Sequence, residues 1–353
     1  MSEYILMKGN EAIGEAAIRA NCRYFFGYPI TPQTEVLEYL ARRLPEEGGS
    51  YVQAESEVSA INMVFGAACA GARVMTASSS PGISLMQEGI SYIASARLPA
   101  VIVNIMRGAP GLGGIHPSQA DYFQSVKGGG HGDYKLVVLA PASVQELIDY
   151  TILAFDIAEH YRTPVVIFGD GMLGQMMEPV VFPEADIRPI IRPWATTGME
   201  GRSKNIIHTL YLPAADLENH CRELYDNYAD IQAHEQRSAE YFTKDAEILL
   251  VSFGITSRVA RAAVEMARED GIKAGLLKPI TLWPFPNAAL KQAARHARLV
   301  ISAEINMGQM IEDVRLALPD KEVILFNRIG LVPNPEEIYE FIKSKAGEVL
   351  NHD

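Results

Sequence analysis

The chain has 353 residues, 48% of them hydrophobic, which is enough for two α/β domains because a single buried core stops growing well below this size. A formal net charge of −12 excludes a nucleic-acid or anionic-membrane surface, since either needs clustered Lys and Arg that form no run here. No stretch of about 18 uncharged apolar residues occurs, and no basic leader precedes a small-residue cleavage site, so a soluble cytoplasmic protein is expected.

From the start to about Asp170, short apolar runs alternate with helical patterns. The expected strands are Arg23 to Phe26, a short one ending at Gln53, Arg73 to Ala77, Ala100 to Met106, Leu136 to Ala140 and Pro164 to Phe168. The helices between them are Glu11 to Ala20, Thr34 to Arg43, Glu57 to Ala70, Ile83 to Ala96 and Val144 to His160. Continuous apolar runs separated by helices are what a parallel sheet covered on both faces requires. Between about Glu184 and Asp245 the rhythm breaks at Pro189, Pro193 and Pro213, and a polar helix-like stretch runs from Ala215 to Tyr241. This reads as a long connector, either a plain linker or a segment passing over one or more subunits. The α/β rhythm then resumes with strands Ile248 to Phe253, Ala274 to Leu277, Leu299 to Ala303 and Glu322 to Phe326. The helices here are Arg258 to Asp270, Asn287 to Ala297, Met310 to Leu318 and one from Pro335. The expected organisation is therefore a doubly wound parallel α/β domain over 1–183, a connector over 184–245 and a smaller doubly wound domain over 246–353.

Ligands of open parallel sheets bind beyond the carboxyl ends of the strands, so the strand-to-helix loops are the places to look for chemistry. The first is Gly27-Tyr28-Pro29-Ile30-Thr31-Pro32, where Thr31 offers a hydroxyl or merely caps the next helix. The second is Gln53-Ala54-Glu55-Ser56-Glu57, where a carboxylate either complements a helix dipole or points into a cleft to move a proton. The third, Ala77-Ser78-Ser79-Ser80-Pro81-Gly82, sets hydroxyls and free N–H groups at a helix start. The fourth, Arg107 to Ser118, puts a guanidinium at a strand end in a glycine-rich loop, suited to bidentate capture of a small carboxylate. It lacks G-x-G-x-x-G order, and no G-x-x-x-x-G-K-[ST] occurs anywhere, which rejects dinucleotide and nucleoside-triphosphate sites. A further loop, Lys127 to Tyr134, carries His131, which either approaches a substrate or faces solvent. Each feature alone has a bland reading, but independent bland readings do not predict four consecutive loops bearing Thr31, Glu57, Ser79 with Ser80, and Arg107. Cys22, Cys69 and Cys221 are too few and too scattered for a disulfide framework, a zinc site or an iron–sulfur cluster. Any electron carrier must sit on another chain.

The Tyr28-Pro29-Ile30-Thr31-Pro32 string, the Ser56-Glu57 helix start, the Thr76 to Gly82 turn and the Arg107-Gly108 loop resemble the alpha-type subunits of 2-oxoacid:ferredoxin oxidoreductases. The Leu282 to Pro286 and Glu304 to Met310 segments resemble the family's transketolase-C-terminal-like domain, and Arg107 to Tyr134 looks most like the branched-chain, 3-methyl-2-oxobutanoate type. The resemblance implies a thiamine diphosphate site of which this chain forms the pyrimidine side. Tyr28, Pro29, Ile30, Glu57, Ser79, Ser80 and Gly82 would touch the cofactor, with Glu57 promoting the imino tautomer of the pyrimidine. Thr31, Arg107, Gly108 and His131 would meet the substrate, with Glu57, Thr31 and Arg107 as the catalytic set. It also implies a beta subunit bringing the diphosphate-binding half, Mg2+ and a [4Fe-4S] cluster, gamma and small ferredoxin-like delta subunits, and no metal on this chain. Coenzyme A and ferredoxin would be co-substrates of an oxidative decarboxylation. Two alternatives stay open: a 2-oxoglutarate enzyme, for which Lys127 or His131 would add a second cation, and a non-catalytic assembly subunit.

Overall fold

The computed structural model describes residues 4–184 and 191–350. Pro189 of the expected connector and the chain ends at 1–3 and 351–353 lie outside the described residues. The first half runs β1 (Ile5–Lys8), α1 (Gly9–Arg19), β2 (Tyr24–Gly27), α2 (Thr34–Glu46), β3 (Ser50–Gln53), α3 (Glu57–Cys69), β4 (Val74–Ser78), α4 (Ser80–Ser95) and β5 (Ala100–Met106). A long loop with one π-helical turn over Gln124–Gly128 leads to β6 (Val137–Leu139), α5 (Val144–Tyr161) and β7 (Pro164–Asp170). Next come α6 (Gly171–Gln175) and β8 (Met177–Val180), which pairs antiparallel with β1.

β4, β5 and β7 are buried at every position, so their apolar runs need no alternation. α2 instead carries a stripe, Val36, Leu37, Leu40 and Leu44, and buries only that. It packs with α1 and α5 on one face of the sheet, while α3 and α4 cover the other. The sheet is thus doubly wound, with strand order β3, β2, β4, β5, β7, β6, and all these neighbours parallel.

The second half comprises α7 (Ala214–His234), β9 (Ser238–Tyr241), β10 (Ile248–Val251), α8 (Gly254–Glu269), β11 (Ala274–Pro279), β12 (Thr281–Trp283), α9 (Asn287–Ala293), β13 (Leu299–Glu304), α10 (Met310–Ala317), β14 (Val323–Asn327) and α11 (Pro335–Leu350). Its sheet has the order β14, β13, β10, β11, β9, parallel except at β9. The helix expected to reach Tyr241 stops at His234 because residues 238–241 are claimed as an antiparallel edge by β11, with Tyr241 opposite Leu276. α7 is no plain linker, since Leu224, Tyr228 and Ile231 on one face sink into the core shared with α1, α2 and α5. β12 leaves its own half altogether and pairs antiparallel with β6, closing the first sheet at that edge.

The two halves share one apolar core, in which Met86, Tyr122 and Phe168 meet Phe253, Leu282 and Met310. Its polar bolt is Gln119, fully buried. The Gln119 side chain donates to the Phe253 carbonyl at 2.8 Å and accepts the Ile305 N–H at 2.9 Å, while its backbone N–H donates to the Ile305 carbonyl at 3.0 Å. Gln119→Ala would strand a carbonyl and an amide in a dry interface, at about 1 to 3 kcal/mol for each group. The expected result is a clear fall in the midpoint of urea unfolding; an unchanged midpoint would show that the Gln119 side chain adds nothing to the hold between the halves.

Candidate functional site

Because β3, β2, β4 and β5 are adjacent and parallel, the four loops singled out above leave the sheet side by side at its carboxyl edge. Hydrogen bonds tie them together. The Arg107 guanidinium, buried, donates to the Thr31 carbonyl at 3.0 Å and to the Leu112 carbonyl at 3.0 Å. Its backbone N–H donates to Ser80 Oγ at 3.1 Å. Gln33, also buried, donates from its side chain to the Tyr28 carbonyl at 3.2 Å and fixes the Tyr28 to Thr31 loop from below. In that loop Tyr28 and Thr31 are exposed, and Pro29 and Ile30 are half-buried.

Ser56 caps α3 by accepting the Ser59 N–H at 3.2 Å, which turns Glu57 inward. Glu57 is 5% exposed, whereas Glu55 is exposed, so only one of the two candidate carboxylates enters the cluster. The Glu57 side chain has no hydrogen-bond or ion-pair partner among the described residues. A methyl group built on Gly82 would lie 2.6 Å from Glu57 Oε1 and 2.0 Å from Ser78 Oγ, so the first turn of α4 packs directly on the carboxylate. The hydroxyls of Thr76, Ser78 and Ser79 are buried and unpartnered. Buried polar atoms are nearly always paired in native proteins, so a concentration of exceptions beside a free carboxylate marks a surface shaped for a ligand.

Two residues of this cluster escape a reading of the loops. Asn104 Nδ2 donates to Asp121 Oδ2 at 2.9 Å beneath Ser80. Burial pushes the Asp121 carboxyl up, while hydrogen bonds from Ser80 and Asn104 pull it the other way. The signal for Asn104 was legible, as it is the one polar residue in the Ala100–Met106 run. The Arg107 loop folds back on itself: Gly108 bridges Gly114 and donates its N–H to the His116 carbonyl at 2.9 Å. That fold-back presents Leu112 and Ile115 to the outside.

His131 does not join the cluster. It is exposed, and its carbonyl is held by Ser91 Oγ. Ser91 lies three turns along α4 from Ser80, about 16 Å at 1.5 Å per residue. Lys127 is committed elsewhere, its ammonium paired with Asp313 on α10. The three cysteines are free thiols, and among the described residues no group of His, Cys, Asp and Glu is arranged to hold a metal ion. No helix of the described residues is long and apolar enough to cross a membrane.

The likeness to known proteins follows the same outline. Residues 15–246 match the pyruvate flavodoxin/ferredoxin oxidoreductase, thiamine diP-binding family, and residues 246–337 match pyruvate:ferredoxin oxidoreductase core domain II. The ketoisovalerate oxidoreductase subunit VorB of Methanothermobacter marburgensis is 52% identical over 97% of this chain and 98% of its own length. The 2-oxoglutarate synthase subunit KorA of Methanothermobacter thermautotrophicus is 40% identical over 97% of this chain and 99% of its own. Among solved structures, 2-oxoglutarate:ferredoxin oxidoreductase from Magnetococcus marinus, with 2-oxoglutarate, coenzyme A and succinyl-CoA bound, superposes with a TM-score of 0.90 at 29% identity. That match covers 98% of this chain, which spans 65% of the longer one. A split-gene transketolase shares the fold, with a TM-score of 0.60 at 14% identity. A doubly wound sheet whose carboxyl edge holds a buried, unpartnered glutamate, joined to a second α/β unit, therefore belongs to the 2-oxoacid:ferredoxin oxidoreductase family with its thiamine diphosphate-binding domain.

Proposed function

We propose that this chain is the catalytic, pyrimidine-binding subunit of an enzyme that converts a branched-chain 2-oxoacid, coenzyme A and oxidised ferredoxin into an acyl-CoA, carbon dioxide and reduced ferredoxin. The observation that carries the reading is Glu57, a buried carboxylate without a protein partner, set against Gly82 and orphaned hydroxyls at the sheet edge. An aminopyrimidine fits there. Glu57 would face its ring nitrogen and hold a proton there, Ser78 and Ser79 would supply hydroxyls, and Tyr28, Pro29 and Ile30 would supply apolar contact. Thiamine diphosphate, when bound, supplies the electron sink for decarboxylation. The protein residues orient and bias it. Glu57 would favour the imino tautomer, Thr31 would offer a hydroxyl to the substrate, and Arg107 with Gly108 would brace the loop that receives its carboxylate.

The site is half of one. No phosphate-binding glycine motif accompanies it, and apolar side chains stand exposed around the edge: Tyr28, Val58, Met63, Leu85 and Leu112. A beta subunit covering that rim would bring the diphosphate half with its Mg2+ and a [4Fe-4S] cluster, and gamma and ferredoxin-like delta subunits would complete the route to ferredoxin. The branched-chain substrate is favoured over 2-oxoglutarate because the two cations able to grip a second carboxylate are elsewhere, Lys127 on Asp313 and His131 beyond Ser91.

Three measurements on the assembled complex test this. Glu57→Ala should leave the complex folded and lower turnover by about 10²- to 10⁴-fold, the usual weight of a positioned proton-transfer group; activity within about tenfold of wild type would sink the assignment. Gly82→Ala should push a methyl into the Glu57 carboxylate and Ser78, so that thiamine diphosphate binds more weakly and turnover drops at sub-saturating cofactor. The ratio of kcat/KM for 3-methyl-2-oxobutanoate over 2-oxoglutarate should exceed about 10, and a reversed ratio would move the chain to the 2-oxoglutarate type.

A further inference from the structure

At the opposite end of the first sheet, where α4 and α5 finish, a cavity of about 310 Å³ is lined by Arg97, Arg162, Trp194, His208, His220 and Glu223. Ser95, in the same wall, is about 22 Å along α4 from Ser80, so the cavity is separate from the carboxyl-edge site. Arg162 caps α5 in a left-handed conformation, with φ at 51°, and its Nε donates to the Arg97 carbonyl at 3.1 Å. The Arg162 guanidinium lies 4.5 Å from the centre of the Trp194 ring, which sets its plane. His220 bonds the Ser95 carbonyl at 2.8 Å through Nε2 and stacks on Tyr211 at 4.5 Å, holding the far wall.

The charges do not balance from within. Among the described residues neither Arg97 nor Arg162 forms an ion pair, and the Arg97 side chain donates no hydrogen bond, its Nε being buried without a partner. Comparable guanidinia elsewhere are matched: Arg73 reaches Asp156 at 3.2 Å and Arg268 reaches Asp245 at 2.8 Å. Cations are welcome at helix C-termini, and that accounts for the Arg162 bond to the Arg97 carbonyl. It does not account for two guanidinia sharing one cavity beside Glu223, the single carboxylate that lines it among the described residues, which leaves one positive charge uncompensated there. Two planar forks with free N–H groups and one aromatic backing are the arrangement that grips a planar or tetrahedral oxyanion.

We propose that this cavity binds a small metabolite through a phosphate or carboxylate group held between Arg97 and Arg162. The site is independent of the thiamine diphosphate reading, since no residue is common to the two. Titration calorimetry on the assembled complex at low ionic strength, with inorganic phosphate in one arm and succinate in the other, tests it and separates the two oxyanion sources. At least one probe should bind saturably with Kd below about 1 mM, weakened about tenfold or more by Arg97→Gln or Arg162→Gln while turnover without probe is unchanged. Should Arg162→Gln lose its helix cap and unfold, Arg97→Gln carries the test alone, because that side chain holds nothing in the protein. No saturable binding of either probe, or binding indifferent to Arg97→Gln, overturns the proposal. Binding to the free subunit but not to the complex also overturns it, by assigning the cavity to an acidic group of a partner chain.

Discussion

A guanidinium removed from water must find acceptors within its own reach, and Arg107 finds one in the loop after β2 and one in the fold-back of its own loop. Its bonds to the Thr31 and Leu112 carbonyls fix the loop after β2 and the fold-back after β5 at once, while its backbone N–H fixes Ser80 at the start of α4. Charge-assisted bonds in a dry setting are worth more than neutral ones such as the Gln33 bond to the Tyr28 carbonyl. The edge of the sheet is therefore held as a unit by Arg107. A lysine could not take this place, since one ammonium cannot present a rigid fork to two carbonyls lying on different loops.

The second half of the chain enters the same argument through the loop that follows Arg107. Gln119 binds it to Phe253 and Ile305, and two residues on, Asp121 sits beneath Ser80 with Asn104. Further along, the Tyr122 hydroxyl donates to Asp313 at 2.7 Å, and Glu304 is fully buried with its carboxylate accepting the N–H groups of Gln309, Met310 and Ile311 at the start of α10. A continuous run of residues 118–123 is thus clamped between the domain core on one side and the polar cluster on the other. The smaller half acts on the site by holding this run, and no side chain of it needs to enter the cleft to do so.

Much of this is legible in the sequence. Continuous apolar runs announced a parallel sheet, and the parallel sheet announced which loops could converge. Thr31, Glu57, Ser79, Ser80 and Arg107 stand at one edge for that reason alone. What stayed hidden depends on tertiary pairing. β9 and β12 are segments of four and three residues with no periodicity to detect, and they become strands only because β11 and β6 offer free edges. The Ser56-Glu57 pair points to Glu57 rather than Glu55 through the resemblance alone; the physical reason, the Ser56 cap that decides the face each carboxylate presents, needs the fold. His131 looked available because glycine-rich loops are mobile in principle; Ser91 holds it three turns away.

The unsatisfied groups are the remaining physical fact to place. Thr76, Ser78 and Ser79 hydroxyls, together with Asn104 Oδ1 and Gln33 Oε1, are buried without partners along the same carboxyl edge. Leaving a buried polar group unmet costs about 1 to 3 kcal/mol, so several of them consume an appreciable part of a stability that is only about 5 to 15 kcal/mol for a typical domain. Apolar replacements would remove that cost. Their concentration at one edge, beside a lone carboxylate, leaves the chain less stable than its core permits, and a ligand that brought hydrogen-bonding groups would restore that stability. Such recovery on binding would make the edge selective: a polar, planar ring would gain those bonds, while an apolar molecule of the same size would leave every one of them unmet.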